Sequence, residues 1–102
     1  MPQFDVLRNP RGGAYPFVVD LQCDSLARFA TRIVAPMIAA KRYGRKPITR
    51  LNPIARVNRA DYVVVVQDLA SIPITELGEL VTSLRAHRSE LIAALDLMFT
   101  GV

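Results

Sequence analysis

The chain has 102 residues, 51% of them hydrophobic, and a formal net charge of +4. This length predicts a single domain, residues 1–102. The lone cysteine, Cys23, excludes an internal disulfide framework, and no apolar run approaches the roughly 18 residues of a membrane-spanning helix. A small domain has much surface per residue, so its apolar excess predicts that a second copy covers part of that surface. We expect a homo-oligomer in the reduced cytoplasm.

Strand patterns come first along the chain. QFDVLR and YPFVVDLQ flank the Pro/Gly-rich NPRGGA, which predicts a hairpin with a loose loop. RFATRIVAPMIA alternates Phe29, Thr31, Ile33 and Ala35 on one face and predicts a third strand, with Pro36 marking a sheet edge or a bulge.

A second hairpin follows a long basic excursion, AKRYGRKPITRLNP. IARVNRADYVVVVQ predicts two strands joined by a turn at Asn58 to Asp61. Its four consecutive valines predict a strand buried on both faces, at the centre of the sheet.

The pattern near the end of the chain has helical spacing. Leu84, Leu91, Leu95 and Met98 form one stripe, which predicts a helix over residues 83–99. The preceding ITELGELV is interpreted as a short separate helical turn, because Gly78 weakens a continuous helix by about 1 kcal/mol relative to alanine.

Positive charge is concentrated between Ser25 and Ala60, a stretch that contains nine Lys and Arg residues and no acid. Such a stretch is either a solvated surface or a binding surface for an acidic partner, and both nucleic acid and an acidic peptide remain open.

Catalytic and metal-binding patterns are weak. One cysteine and one histidine give neither CxxC nor HxxxH spacing, so no metal or other cofactor is expected. His87, between Arg85 and Arg88, is interpreted as an exposed or partly packed helix residue rather than a catalytic base. An Arg/Asp pair such as Asp24 with Arg28 leaves a small RNA-cleaving toxin open.

Four stretches, in this order and at these spacings, resemble the CcdB family of plasmid and chromosomal toxins: FVVDLQCD, RIVAPM, QDLASIPITELGE and LMFTGV. The resemblance covers nearly the full chain. It implies a mainly β (α+β) fold, an SH3-like barrel or twisted antiparallel sheet with one C-terminal α-helix, assembled as a homodimer.

The resemblance also implies a function without catalysis. Toxins of this family insert between the arms of the DNA gyrase A subunit, trap the cleaved-DNA complex and are neutralised by a cognate antitoxin. Direct contact with nucleic acid is not expected, nor is contact with a membrane. Leu95, Met98 and Phe99 are then assigned to core and dimer packing. The implied gyrase-binding residues are Ser25, Leu26, Asp96, Thr100, Gly101 and Val102.

Two residues depart from the family pattern, because the typical toxin has tryptophan in place of Thr100 and asparagine in place of Asp96. We expect an antitoxin with a flexible acidic tail to bind the basic residues Lys41, Arg42, Arg45 and Lys46. Two alternatives remain: a ribonuclease on the same barrel, using basic residues around Arg42 to Arg50, and a degenerate relative that only binds antitoxin.

Overall fold

Seven antiparallel strands form one curled sheet, a half-barrel, in the computed structural model, which describes residues 2–102. The strands are β1 (Asp5–Arg8), β2 (Phe17–Asp20), β3 (Thr31–Ala39), β4 (Ile54–Val57), β5 (Ala60–Val64), β6 (Ala70–Pro73) and β7 (Leu80–Ser83), and the helix is α1 (Arg88–Thr100). The sheet order is β4-β5-β3-β2-β1-β7, with β6 paired to β3 outside this path. The predicted fold class is confirmed.

β1 and β2 form the predicted hairpin, and β3 is the predicted third strand. The placement of Pro36 at an edge or bulge is wrong, because β3 pairs with β2 on one side and with β6 and β5 on the other. The carbonyl of Pro36 accepts a hydrogen bond of 2.9 Å from the Val65 amide. An amide and a carbonyl of one residue point to the same side of an antiparallel strand, so the missing N–H falls where the partner of β3 changes from β6 to β5.

The run of valines is buried on both sides, as predicted: Val64 and Val66 belong to the main core, whereas Val63 and Val65 pack in a separate cluster with Ile38. The strand itself, β5, ends at Val64, and it lies between β4 and β3, second from the edge of the sheet rather than at its centre. The turn before it is tighter than predicted: Val57 pairs with Ala60, leaving a two-residue turn, Asn58 and Arg59, with φ angles of 51° and 69°. Two positive φ angles fit a type I′ hairpin turn.

The helix begins later than the prediction of residue 83. Residues 80–83 instead form β7, which pairs with β1, and the segment Arg85–His87 is a 3-10 turn. Leu84 belongs to the apolar stripe, but its amide donates to the Phe4 carbonyl, 2.8 Å away. Residues 80–84 therefore form backbone hydrogen bonds with β1 and the residue before it, although the side-chain spacing predicted a helix from residue 83.

The interpretation of ITELGELV as a helical turn holds only for Ile74–Glu76, which is a 3-10 turn, and β6 before it was not predicted. Gly78 lies where the chain approaches β1, with its amide 2.9 Å from the Arg8 carbonyl. A Cβ at this position would lie 2.6 Å from that oxygen. Gly78 thus permits close backbone approach rather than interrupting a helix.

The main core lies between the sheet and α1. Leu84, Leu91 and Ala94 are buried in it, Leu95 is half-buried, and Met98 is exposed. The predicted apolar stripe consequently runs from the core to the surface along α1. Within residues 2–102, no helix has the length and apolar character needed to cross a membrane.

Candidate functional site

The last turn of α1 presents its end to solvent in a fixed backbone conformation. The Thr100 hydroxyl donates to the Asp96 carbonyl at 2.6 Å, and the Gly101 amide donates to the Leu97 carbonyl at 3.1 Å. Gly101 has a φ of 78°, the left-handed conformation that ends helices and favours glycine. Residues 100–102, called the tail below, are all exposed, and Val102 is 75% exposed.

An apolar groove separates this helix end from the 3-10 turn Asp24–Leu26, called the 24–26 turn below. Leu26 and Phe29 line one wall, and Leu95 and Phe99 line the other. Phe29 is 55% exposed and Phe99 is 69% exposed. Large apolar side chains exposed side by side are typical of a surface that another protein covers.

The predicted gyrase-binding residues are distributed over this region but do not all touch one another. Leu26 lines the groove, whereas Ser25 is exposed and does not line it; the Ser25 hydroxyl is 3.1 Å from the Cys23 sulfur. That side-chain hydrogen bond lowers the pKa of the exposed Cys23 thiol. Asp96 and Thr100 are joined through the backbone carbonyl of Asp96 and not through its carboxylate. The structure therefore places two small surfaces on either side of the groove.

Beneath the 24–26 turn lies a buried polar network that the sequence analysis did not identify. Arg32 donates to the Asp20 carboxylate through two nitrogens, at 2.6 and 3.0 Å, and both side chains are fully buried. The other oxygen of that carboxylate accepts from the Gln22 amide at 3.0 Å. The sequence does contain an indication of this buried pair, because Asp20 and Arg32 each lie among apolar residues inside a strand.

The four predicted antitoxin-binding residues all lie on the surface, in a segment of residues 41–46 called the basic segment below. Lys41 and Arg42 end a 3-10 turn, and the Arg45 guanidinium lies 5.6 Å from the centre of the Tyr43 ring. All four cations are exposed. Their charge is available to an acidic partner.

Arg50, just beyond the basic segment, reaches the tail. Its guanidinium donates to the backbone oxygen of Val102 at 2.7 Å. Nearby, Ala93 of α1 is half-buried in a shallow cleft that Arg50 and Ile54 also line. The tail and the segment that follows the basic residues are thus in direct contact.

The described residues provide little for catalysis. No three His, Cys, Asp or Glu side chains within residues 2–102 are close enough together to hold a metal ion. His87 is partly packed and lies 3.1 Å from the Glu90 carboxylate through Nδ1, as expected of a helix-start residue. The Asp24 carboxylate accepts from the Gln3 amide at 2.8 Å. The buried Arg/Asp pair is Asp20 with Arg32, which solvent does not reach.

The sequence model described as CcdB protein matches residues 3–101, nearly the whole chain. Because the match covers the sheet, the 24–26 turn, the groove and all of α1, it applies to the complete domain described above. The chain belongs to the CcdB family, the toxins of toxin–antitoxin pairs, whose partners include an antitoxin.

Proposed function

We propose that this protein is a topoisomerase poison: it binds the A subunit of DNA gyrase, traps the cleaved-DNA complex without catalysing a reaction, and is neutralised by its antitoxin. The observation that carries the proposal is the helix end, where the exposed tail lies outside the core, with Thr100 bonded to the Asp96 carbonyl and Gly101 in the left-handed conformation. Local hydrogen bonds that pre-order a contact surface reduce the conformational entropy lost on binding. Because DNA gyrase acts on the chromosome, we expect the toxin to act in the cytoplasm.

The proposed binding form is a symmetric homodimer. Met98 and Phe99 are exposed on the last turn of α1, and the groove beside Phe99 exposes Leu26 and Phe29. A two-fold axis at the helix ends covers Met98 and Phe99 of both copies, leaves the 24–26 turns accessible and brings the two tails side by side. The dimer then offers gyrase one continuous surface made of two tails and two 24–26 turns.

Sedimentation tests the dimer at micromolar protein. We expect a dimer for the parent and a shift towards monomer for Phe99→Ser. Leu80→Ser is the matched control, because Leu80 is 61% exposed but lies on β7, outside the groove. A parent that sediments as a monomer, or equal effects of the two variants, contradicts this assembly.

The contact residues proposed for gyrase are Asp96, Thr100, Gly101 and Val102 at the helix end, with Ser25 and Leu26 on the 24–26 turn. Removing residues 100–102 should abolish toxicity while leaving folding and antitoxin binding intact. The physical reason is that the tail is exposed, so its loss removes no core packing. Full toxicity of the truncated chain would show that the tail is not the poisoning element.

The target itself is tested by expressing the chain in a gyrase-sensitive host and in one whose gyrase A subunit resists this toxin family. Rescue by the resistant subunit supports the proposal. Degraded RNA with intact chromosomal DNA would instead indicate a ribonuclease, and absence of toxicity would indicate a relative that only binds antitoxin.

The antitoxin is proposed to bind the basic segment through Lys41, Arg42, Arg45 and Lys46. These exposed cations lie in a stretch without acids, so their field attracts an acidic, flexible tail. Arg50, four residues beyond the basic segment, donates to the backbone oxygen of Val102 in the tail. This contact supports the inference that a flexible antitoxin bound along the basic segment can continue past Arg50 to the tail.

A further inference from the structure

After β2 the backbone leaves the sheet before its last hydrogen-bonded pair with β3 is complete. Asp20 and Val34 are the last paired residues of β2 and β3, and the Leu21 amide still donates to the Ile33 carbonyl at 2.8 Å. In a continued ladder the Leu21 carbonyl would accept from the Ile33 amide. Instead, that carbonyl accepts from the Gln3 side chain at 3.0 Å. The backbone of β2 has turned away from β3 at this point.

The Gln22 side chain occupies the position that the backbone has left. Its Oε1 accepts from the Ile33 amide at 3.1 Å, and its Nε2 donates to the Leu26 carbonyl at 2.7 Å. One buried side-chain amide therefore joins the central strand of the sheet to the end of the 24–26 turn.

The backbone of Gln22 is in turn held by the buried ion pair of Asp20 and Arg32. Its backbone amide donates to one oxygen of the Asp20 carboxylate, and Arg32 holds the other oxygen. Because Asp20 and Arg32 are fully buried, this carboxylate cannot rotate towards solvent without losing charge-assisted hydrogen bonds. The network thus runs from the core through Gln22 to Leu26.

The 24–26 turn depends on this network because it has no core packing of its own. Residues 23–30 are all exposed. Apart from Gln22, the turn is held by local hydrogen bonds, such as the Leu26 amide to the Cys23 carbonyl at 3.1 Å, and by an exposed one from the Gln3 amide to the Asp24 carboxylate at 2.8 Å. Exposed backbone hydrogen bonds with few buried apolar contacts mark segments that open easily.

We propose that Gln22 is a positioning residue that fixes the 24–26 turn for partner binding, an inference that rests on the proposed gyrase function of Ser25 and Leu26. Gln22 is buried, with only 7% of its surface exposed at the groove, so it offers a partner little direct contact. Its effect is exerted through the Leu26 carbonyl, which sets where the Leu26 side chain forms the wall of the groove. A turn fixed before binding loses less freedom in the complex.

Gln22→Met tests the inference because methionine has a similar length but neither donates nor accepts strongly. We expect the Leu26 and Ile33 amides to exchange with solvent faster, and gyrase affinity to fall about tenfold, the effect of losing one buried hydrogen bond. Antitoxin affinity should be unchanged, since the basic segment lies on a different loop. Purified gyrase A subunit and the purified antitoxin are the probes.

A matched control separates positioning from general destabilisation. Gln67 is a second side-chain amide with a core hydrogen bond, its Oε1 lying 2.7 Å from the Asn52 side chain, but it supports a different loop. Gln67→Met should lower stability without changing gyrase affinity. If Gln22→Met does not fold, Gln22→Asn keeps a neutral amide that is one methylene too short to reach Ile33 and Leu26 together, so the same readouts apply.

The outcomes distinguish the two proposals. If the parent does not bind gyrase A, the proposed function fails, and the exchange rates of Leu26 and Ile33 still test whether Gln22 fixes the turn. If the parent binds, the positioning role is overturned by unchanged amide exchange in the Gln22 variant, or by faster exchange with full gyrase affinity.

Discussion

Two neighbouring regions of this molecule have opposite distributions of polarity. At the helix end, Phe99 and Val102 are largely exposed to solvent, as is Phe29 across the groove. Beneath the neighbouring 24–26 turn, Asp20 and Arg32 are fully buried. The exposed apolar surface stabilises only a complex with another chain, whereas the buried ion pair selects one geometry for the turn beside that surface.

This difference indicates that the side chains proposed to bind a partner and the side chains proposed to hold them in position form two separate sets. The side chains proposed to meet a partner are exposed and held by few contacts, such as the single hydrogen bond from Thr100 to Asp96. Side chains that hold the surface in place are buried and fully hydrogen-bonded: among residues 2–102, no buried polar side-chain atom lacks a partner. Changes in the two regions should therefore affect different measurements.

The largest expected effect comes from breaking the buried pair. Arg32→Met should lower the free energy of unfolding by about 3–5 kcal/mol, because it leaves the Asp20 carboxylate buried and uncompensated. Urea denaturation measures the change. Arg8→Met is the control: it breaks an exposed pair with Glu79, 3.1 Å long, and should cost at most about 1 kcal/mol. Equal losses in the two variants would contradict the assigned role of burial.

The next effect concerns the exposed region. Thr100→Trp should tighten binding to the gyrase A subunit by about 2 kcal/mol, since a large aromatic anchor at the end of the helix can supply an interface hot spot. Calorimetric titration measures the affinity, and the stability of the free protein should hardly change. Ser89→Trp, on the same side of α1 but at its first turn, is the control. If it tightens binding equally, the gain is non-specific.

Charge on the basic segment should affect rates more than stability. Reversing all four cations to glutamate should slow antitoxin association about tenfold at low salt and flatten its salt dependence. Stopped-flow mixing over a salt series measures both. The control reverses four cations elsewhere, with the same change in net charge: Arg28, Arg56, Arg59 and Arg85. Similar slowing by both variants would indicate a general charge effect and no defined site.

The smallest effect is expected at Asp5. Burial raises the pKa of the Asp5 carboxyl above its ordinary value, so the contribution of this group to stability is present at acid pH and is lost as pH rises through the raised pKa. Asp5→Asn should increase stability at pH 7 by about 0.5 kcal/mol, with the gain vanishing at acid pH. Thermal denaturation across a pH series measures it. A gain that does not depend on pH would argue against desolvation as the cause.

Local patterns in the sequence determined much of this protein. Alternation located β1, β2 and β3, and the four valines located a strand buried on both faces. The stripe of Leu91, Leu95 and Met98 located the helix, and four short stretches identified the family. These features depend on residues within a few positions of one another, where side-chain periodicity directly reflects which faces are buried.

Pairing and burial between distant segments were decided only by the tertiary structure. β7 exists because the edge of β1 accepts it, Gly78 is needed because Arg8 lies against it, and Pro36 is tolerated where β3 changes partners. Asp20 and Arg32 look like ordinary charged residues until two strands place them together away from water. The physical reason is that backbone hydrogen bonding and desolvation act across space, whereas sequence periodicity records only which face of its own element a residue occupies.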